Sequence, residues 1–321
     1  MSGRRLASVS VDLDPLSCYY RIHALGPAPA ELSATIFRRA VPRFLDVFAR
    51  NGVRATFFVV GADLADHAVR RLARELVAAG HELGNHSHTH PYELARLPRE
   101  RVAEEIDAAH AAIGDAAGAA PVGFRAPGYD LSQVMLGELA RVGYRYDSSI
   151  FPAPAYYAAK AVVMAGLGLI GRPSGAVMTD PRALIAPADP YRPDARRPWR
   201  RGRAPLVELP IAVTPWLRLP AIGTNLLLLP APLREQLVRS MLGRPHFNLE
   251  LHGIDLCDAE LDGIPAVLVA RQPDLRATLL EKQRAFEALL GRIALDYDVL
   301  PLRDVAARVD ASGELASPDA D

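Results

Sequence analysis

Short apolar runs alternate with amphipathic segments along most of this 321-residue chain. Residues 6–13 and 53–60 are rich in β-branched and aromatic side chains, which is typical of buried strands. Apolar residues recur at helical spacing between these runs, at 31–51, and again after them, at 66–79. The pattern predicts an α/β fold in which strand–helix–strand units build a parallel sheet. The loops that leave the carboxyl ends of such strands gather on one side, where α/β enzymes carry their active sites.

The same alternation continues toward the C-terminus, with one interruption. Further strands are expected at 81–84, 121–129, 143–149, 206–213, 247–252 and 297–300, and further helices at 97–113, 131–142, 155–170, 233–242 and 274–291. The interruption contains an apolar helix and then a loop rich in proline and arginine, and it lacks the apolar positions of a separate core. We therefore expect a single domain over residues 1–321, with an insertion at about 152–205 and a disordered polar tail at about 311–321.

Charge and composition exclude several classes of protein. Lysine and arginine together equal aspartate and glutamate at 37 each, so net charge gives no reason to expect nucleic-acid binding. Two cysteines in a chain of this length do not indicate a disulfide scaffold. No segment has the roughly 18 uncharged apolar residues of a membrane span, and no apolar signal stretch opens the sequence. We expect a soluble cytoplasmic protein.

One short segment, Gly84-Asn85-His86-Ser87-His88-Thr89-His90-Pro91, holds three of the nine histidines. His86 and His90 are four residues apart, so both imidazoles face the same way on a helical turn or on a loop wound like one. His88 would point elsewhere. Two histidines and a carboxylate, with coordination positions left open, are typical of a catalytic metal site and most often bind zinc.

Other reactive side chains also follow predicted strands, namely Asp12, Asp14, Arg125, Asp147 and His252. We expect them to converge on the histidine segment, because the carboxyl ends of parallel strands lie along one edge. Asp12 falls inside an apolar run, where a charge costs several kcal/mol unless it is paired or bound to a metal. A second carboxylate beside the metal can act as a general base, and a separate histidine can act as a general acid.

The order and spacing of these motifs resemble the NodB-homology polysaccharide deacetylases, a carbohydrate esterase family with a distorted, incomplete (β/α) barrel. The resemblance covers about residues 6–150 and returns at 206–256, and GNHSHTHP and LELHG are its most specific motifs. It implies a metal-dependent hydrolase that cleaves a carbon–nitrogen bond other than a peptide bond. The reaction would remove an acetyl or formyl group from a sugar or glycoconjugate.

The resemblance also implies a metal site and a base. Asp14, His86 and His90 would bind a divalent ion, most plausibly zinc, and Asp12 would be the catalytic base. The family's first motif has two adjacent aspartates, whereas Leu13 separates them here. The roles of Asp12 and Asp14 could therefore be swapped.

The remaining roles come from the later motifs. Arg125 would pair with the base, and His252 would be the general acid. Glu208 is the candidate for the acidic partner of that histidine, with Asp147 as the alternative.

The resemblance places substrate-binding groups in two further segments. Where many members carry a tyrosine whose backbone N–H binds the oxyanion, this chain has Gly128, followed by Tyr129, and glycine keeps that donor. Leu251 or Leu249 would line the acyl pocket.

The insertion bears on the choice of substrate. It joins an apolar helix to six arginines, a combination suited to an N-acylated sugar linked to a nucleotide or a lipid and to peripheral membrane contact. The arginines are Arg192, Arg196, Arg197, Arg200, Arg201 and Arg203. Two other functions stay open, a non-catalytic glycan-binding module on the same barrel and a cyclic-amide hydrolase. The sequence does not indicate the sugar, the acyl group or the oligomeric state.

Overall fold

A computed structural model describes residues 4–169, 171, 173–312 and 315 of the chain. The strands are β1 (Arg5–Asp12), β2 (Thr56–Val59), β3 (Glu82–Asn85), β4 (Gly123–Phe124), β5 (Tyr146–Asp147), β6 (Val207–Glu208), β7 (His246–His252) and β8 (Tyr297–Val299). The α-helices are α1 (Leu16–Ile22), α2 (Val41–Asn51), α3 (His67–Ala78), α4 (Arg99–Ala117), α5 (Gln133–Val142), α6 (Pro154–Leu169), α7 (Gly223–Leu228), α8 (Ala231–Ser240), α9 (Ala266–Val269), α10 (Leu279–Asp296) and α11 (Leu302–Ala311). Within the described ranges, no helix is long and apolar enough to cross a membrane.

The strands form one parallel sheet in the order β6-β5-β4-β3-β2-β1-β7, and β8 pairs with the first residues of β1. The sheet curves into an incomplete barrel. The two ends of this path are β6 and β7, and a backbone hydrogen bond from Ala212 N to Asn248 O links the segment after β6 to β7. The predicted α/β class and distorted, incomplete barrel are confirmed.

Side chains alternate between the two faces of the longer strands, as strand geometry requires. Val9, Val11 and Leu249 face outward and belong to the large apolar core under the helices. Phe44, Phe48, Phe57 and Phe286 join α2, β2 and α10 in that core, with contacting ring centroids 5.6–6.2 Å apart. The alternate residues of β1 and β7 are polar and face the barrel interior. Those polar positions lead upward to the reactive groups at the strand ends.

Several predicted elements have different bounds in the structure. The strand expected at 121–129 is only two residues long, and the strand expected at 206–213 pairs regularly only at Val207–Glu208. Pro210 lacks the N–H that would extend the latter ladder. The apolar run at 226–229 lies mostly in helix α7. The tail expected at 311–321 falls largely outside the described residues.

Candidate metal and catalytic site

Strand register brings the first groups of the site together. Asp12, the last residue of β1, pairs in register with Phe58 of β2 on one side and with His252 of β7 on the other. β3 ends at Asn85, directly before the histidine segment. The carboxyl edge of the sheet therefore holds the aspartate, the histidine segment and His252 within a few strand spacings.

Asp14, His86 and His90 form a compact, buried group. Their potential ligand atoms all lie within 4.8 Å of one another. His86 Nε2 lies 3.0 Å and His90 Nε2 lies 3.2 Å from the same carboxylate oxygen, Asp14 Oδ1. Burial alone would raise the pKa of Asp14, but the two histidines outweigh it and hold that pKa well below its usual value.

The hydrogen bonding of His86 explains why a cation fits this group. His86 Nδ1 lies 2.7 Å from the carbonyl oxygen of Arg125, which can only accept, so Nδ1 carries a proton. In the neutral imidazole, Nε2 is then an acceptor that faces another acceptor, Asp14 Oδ1. His90 Nε2 is buried and has no hydrogen-bond partner among the described residues. Two imidazole lone pairs and a carboxylate directed at one point suit a divalent metal ion.

The loop that carries the two histidines is not a helical turn. Ser87 and His90 have left-handed backbone conformations, with φ of 62° and 57°. Asn85 Oδ1 accepts a hydrogen bond from Ser87 N, and Ser87 Oγ accepts one from His90 N. The imidazoles of His86 and His90 nevertheless face the same oxygen, as their spacing predicted. His88 points away from them and packs against Gly61, where an added Cβ would come within 2.9 Å of His88 Nδ1.

Glu105 of α4 holds the same loop from outside. Its carboxylate accepts hydrogen bonds from the backbone N–H groups of His88 at 2.9 Å and Thr89 at 2.8 Å. It also accepts one from the Thr89 hydroxyl at 2.6 Å. Glu105 is buried, so the loss of this carboxylate would leave two backbone donors unsatisfied.

We expect Glu105→Ala to lower the affinity for zinc roughly 10–100-fold, because supports behind metal ligands typically contribute that much. Calorimetric titration of the metal-free protein would measure the change. Glu104→Ala is the matched control, since Glu104 is the preceding residue on α4 and its side chain is 60% exposed. Equal affinities for the two variants would show that Glu105 does not support the site.

Asp12 is paired with a fully buried arginine. Arg125 Nη1 lies 2.7 Å from Asp12 Oδ1 and 2.9 Å from Ser10 Oγ. Arg125 also donates to the backbone oxygen and the hydroxyl of Ser148, and its guanidinium lies 4.3 Å from the ring centroid of Phe58. These contacts fix the orientation of the Asp12 carboxylate. Its second oxygen, Oδ2, faces the metal-ligand group, 3.9 Å from His86 Nε2.

His252 has a different acidic partner from the one predicted. His252 Nδ1 lies 3.0 Å from Glu250 Oε1, and both residues belong to β7. The Tyr129 hydroxyl lies 3.1 Å from the same glutamate oxygen and 3.0 Å from His252 Nε2. Burial lowers the pKa of His252, but the charge of Glu250 opposes it more strongly, and the pKa rises to about 9. Glu250, Tyr129 and His252 therefore form one closed hydrogen-bonded group.

The prediction of Glu208 or Asp147 as that partner is wrong. The two residues pair in register on β5 and β6, and both are fully buried. Glu208 Oε1 accepts a hydrogen bond from Ile150 N, and Asp147 Oδ1 accepts one from the Ser149 hydroxyl. Burial and the neighbouring Asp147 raise the pKa of Glu208 well above its usual value. Their role is to hold the β5 and β6 ends together.

The prediction that Leu251 or Leu249 lines the acyl pocket is also wrong. Both leucines belong to the apolar core under the helices. Leu251 packs against Gly223, where a Cβ would come within 2.4 Å of Leu251 Cγ. Adjacent residues of a strand face opposite sides, so Leu251 and His252 cannot line the same cavity.

A cavity of about 300 Å³ connects the reactive groups. Asp12, Asp14, His86 and His252 line one side of it, while Tyr156, Ala159, Lys160, Val163 and Met164 of α6 line the other. Its volume lies at the lower end of the range of small-molecule sites. Much of the apolar lining thus comes from the insertion, and Tyr19, Ile22 and Tyr92 add to it.

Gly128 and Tyr129 also line this cavity. Their φ values are 73° and 62°, so two successive residues are left-handed. A Cβ at position 128 would lie 3.3 Å from Tyr92 Cδ1, which makes glycine the fitting residue there. The backbone of Gly128 is therefore available at the cavity wall, and its role as an oxyanion donor stays a prediction.

The six clustered arginines at 192–203 do not line the cavity. Arg192 forms an ion pair with Asp310 of α11, and Arg201 lies at a surface depression with Arg4 and Arg308. Arg196 and Arg197 lie at another depression beside Trp199. Among the described residues of the insertion, Lys160 is the basic one that lines the cavity.

Comparisons with known proteins relate part of the chain to deacetylases. Residues 30–146 match the family described as polysaccharide deacetylase. A peptidoglycan deacetylase from Helicobacter pylori is 26% identical over 155 residues, which cover 47% of this chain and 51% of the relative. A chitooligosaccharide deacetylase from Bradyrhizobium is 40% identical over 103 residues, which cover 32% of this chain and 46% of the relative. The chain spans about half the length of these curated relatives.

A solved structure extends the comparison to nearly the whole chain. It is a protein from Mycobacterium smegmatis with the provisional name polysaccharide deacetylase, and it superimposes with a TM-score of 0.59. The match covers 97% of this chain and 93% of the other at 18% identity. At that identity the likeness is one of fold.

Proposed function

We propose that this chain, whose residues 30–146 match the polysaccharide deacetylase family, is a metal-dependent hydrolase that removes an acetyl or formyl group from the nitrogen of a sugar. The main support is the arrangement around the cavity. Asp12 and His252 line the same cavity as Asp14 and His86 of the group that would hold the metal. A cation site beside a candidate base and a candidate acid suits hydrolysis of an amide.

Asp14, His86 and His90 would hold the metal ion, for which zinc is the best candidate because the donor set is two imidazoles and a carboxylate. When bound, such an ion supplies Lewis acidity toward an acyl oxygen and toward water. Cys18 Sγ lies 3.4 Å from His90 Nδ1 and helps to orient that ring. The assignment of zinc over other divalent ions stays a prediction.

Asp12 would remove the proton from the attacking water. Arg125 occupies Oδ1 of this carboxylate, so Oδ2 is the oxygen left to accept the proton. The pairing also fixes the orientation of the carboxylate, with Arg125 Nη1 2.7 Å from Oδ1. In this assignment Asp14 is the metal ligand, and swapping the two aspartates would separate the base from its arginine.

His252 would protonate the departing amine. With a pKa of about 9 it carries both ring protons at neutral pH. Glu250 holds Nδ1, so Nε2 is the nitrogen that delivers the proton, at the place where it now contacts the Tyr129 hydroxyl. Glu250 also stabilises the charge that the imidazole carries before the transfer.

A substrate screen with metal analysis tests the proposal. Purified protein would be offered N-acetyl and N-formyl sugars as free, nucleotide-linked and lipid-linked compounds, and release of acetate or formate would be measured. We expect release that depends on about one bound divalent ion and stops on chelation. Glycan binding without release would instead favour a binding module, and release of product only from cyclic amides would favour the cyclic-amide hydrolase. A cytoplasmic location stays a prediction, which cell fractionation would check.

We further propose that the substrate carries a negative charge, such as the phosphate of a nucleotide or lipid linkage. The support is Lys160 of α6, which lines the cavity. Burial lowers the pKa of Lys160 to about 8, so the side chain is mostly protonated at neutral pH.

Lys160→Ala is expected to raise KM for a phosphorylated sugar about tenfold, because a charge-assisted hydrogen bond is worth roughly 1.5–3 kcal/mol. KM for a neutral N-acetyl sugar should stay unchanged. Lys160→Arg, which keeps the charge, is the control and should retain most of the affinity. In the unmodified protein, KM for the anionic substrate should rise as the pH increases through about 8 and the ammonium loses its proton. Equal effects on both substrates would refute a charge-specific role.

A further inference from the structure

Helix α6 exposes an apolar surface beside the cavity. Among its 16 residues only Lys160 is charged, and that side chain faces the cavity. Only Tyr157 and Leu167 of the helix are buried. Val162 is 73% exposed and Leu169 is 88% exposed. A surface helix normally presents charged or polar groups to water, so this one has an unusual outer face.

A hairpin tip adds to this surface. An antiparallel bridge between Val213 and Pro220 closes the loop at residues 213–220, which follows β6 at the carboxyl edge of the sheet. Trp216 at its tip is 98% exposed and Leu217 is 73% exposed. Trp216 has a φ of 62°, so the backbone itself directs this side chain outward from a tight turn.

Helix α6 and the hairpin at 213–220 pack against the same apolar cluster. Tyr157 of α6 packs in one apolar cluster with Val213 and Ile222 at the base of the hairpin. Arg218 donates to the carbonyl oxygens of Leu184 at 2.8 Å and Ala186 at 3.0 Å. Ile185, which is 72% exposed, therefore lies beside the tip. The outer face of α6, Ile185 and the hairpin tip together are called the apolar rim below.

Charge distinguishes the segments of the rim from the rest of the chain. Helix α6 and the loop at 213–220 contain Lys160 and Arg218 and no acidic residue. In the whole chain, basic and acidic residues are equally common at 37 each, so the lack of acidic side chains is particular to these segments. Exposed tryptophan and aliphatic side chains in segments whose charged residues are all basic are typical of proteins that bind the surface of an anionic bilayer.

We propose that the apolar rim docks on an anionic lipid surface. A second copy of the chain is a poorer occupant, because a two-fold contact would bring together two surfaces whose charged residues, Lys160 and Arg218, are all basic. At 16 residues α6 is too short to span a bilayer, so the helix lies in the interface and the tryptophan anchors the hairpin.

This docking has a consequence for the substrate. Val163 of α6 is 56% exposed and also lines the cavity, so the rim continues into the site. A protein held in this way receives amphiphilic substrates from the lipid surface, with the N-acyl group in the cavity. That consequence rests on the proposed function, whereas the docking itself does not.

Tryptophan fluorescence tests the docking without any substrate. The chain has two tryptophans, so Trp199→Phe leaves Trp216 as the sole reporter. We expect a blue shift of its emission with vesicles that contain phosphatidylglycerol, reversed by high salt, and little shift with phosphatidylcholine alone. An absent shift with both vesicle types overturns the proposal. A shift that grows with protein concentration before vesicles are added also overturns it, in favour of self-association.

A matched pair of variants locates the contact. Leu217 of the hairpin and Leu295 at the end of α10 are both leucines with 73% exposure. Leu217→Glu should weaken binding to the anionic vesicles at least tenfold in a sedimentation assay, and Leu295→Glu should leave it unchanged. Equal loss in both variants would contradict docking by the rim. Circular dichroism and zinc content would verify that both variants are folded, so failure of docking is distinguishable from failure of the hydrolase.

Discussion

Replacing Asp12 by asparagine is expected to slow amide hydrolysis by roughly 10²–10⁴-fold, the usual contribution of a general base. Asparagine keeps the shape of the side chain, and its oxygen can still accept the hydrogen bond from Arg125. The fold and the metal group Asp14, His86 and His90 should therefore persist. Activity would be lost because the amide cannot take a proton from water at neutral pH.

Turnover and metal content measured on the same preparation would check this prediction. The informative comparison is Asp14→Asn, which should instead lose metal, since both imidazoles face Asp14 Oδ1. If Asp12→Asn loses metal and regains activity in excess metal, the roles of the two aspartates are swapped.

Replacing His252 by glutamine should lower kcat by a similar factor of roughly 10²–10⁴, because the amine would leave without a proton donor. In the unmodified protein the folded-state pKa of His252 is raised to about 9. The acid is thus in its active form below that pH, and activity should fall as the pH rises through about 9. The glutamine variant should lose this basic limb of the pH profile.

Glu250→Gln tests the effect of the negative charge of Glu250 while the general acid, His252, stays in place. It keeps a hydrogen-bond acceptor for His252 Nδ1 but removes the negative charge that raises the pKa of the imidazole. The basic limb should move to lower pH by more than one unit, with a smaller loss of kcat at acidic pH. Tyr129→Phe is the control, since it removes the hydroxyl and leaves that charge in place. An unshifted limb in Glu250→Gln would mean that another group controls it.

The sequence by itself determined which residues stand at the ends of the strands. The alternation of apolar runs and amphipathic segments predicts a parallel sheet, and its carboxyl edge must collect whatever follows each strand. Asp12, His86, Arg125 and His252 were recognisable on that basis, and the structure brings all four to one cavity or its support. The position of a residue at a strand end depends on local periodicity and chain order, and both can be seen in a single sequence.

The contacts of these residues depended on the tertiary structure. Glu208 is the last residue of β6, and Glu250 lies two residues before the end of β7. Chain order does not show which of the two carboxylates contacts His252. Strand geometry decides which glutamate is the partner, because residues two apart on β7, such as Glu250 and His252, share a face. The LELHG motif contains this spacing, but the prediction of Glu208 did not use it. The same rule sends Leu251 to the opposite face, away from the cavity.

The insertion shows the limit of sequence most clearly. Its cluster of arginines suggested a substrate-binding loop, yet packing directs Arg192 to Asp310 and leaves Lys160 as its cation at the cavity. The apolar residues of α6 could equally have formed a buried helix, since a run of alanine, valine and glycine is compatible with a core position and with an exposed one. Only the three-dimensional arrangement decides between them, because burial depends on which distant segments cover the helix, and the fold covers little more than Tyr157 and Leu167.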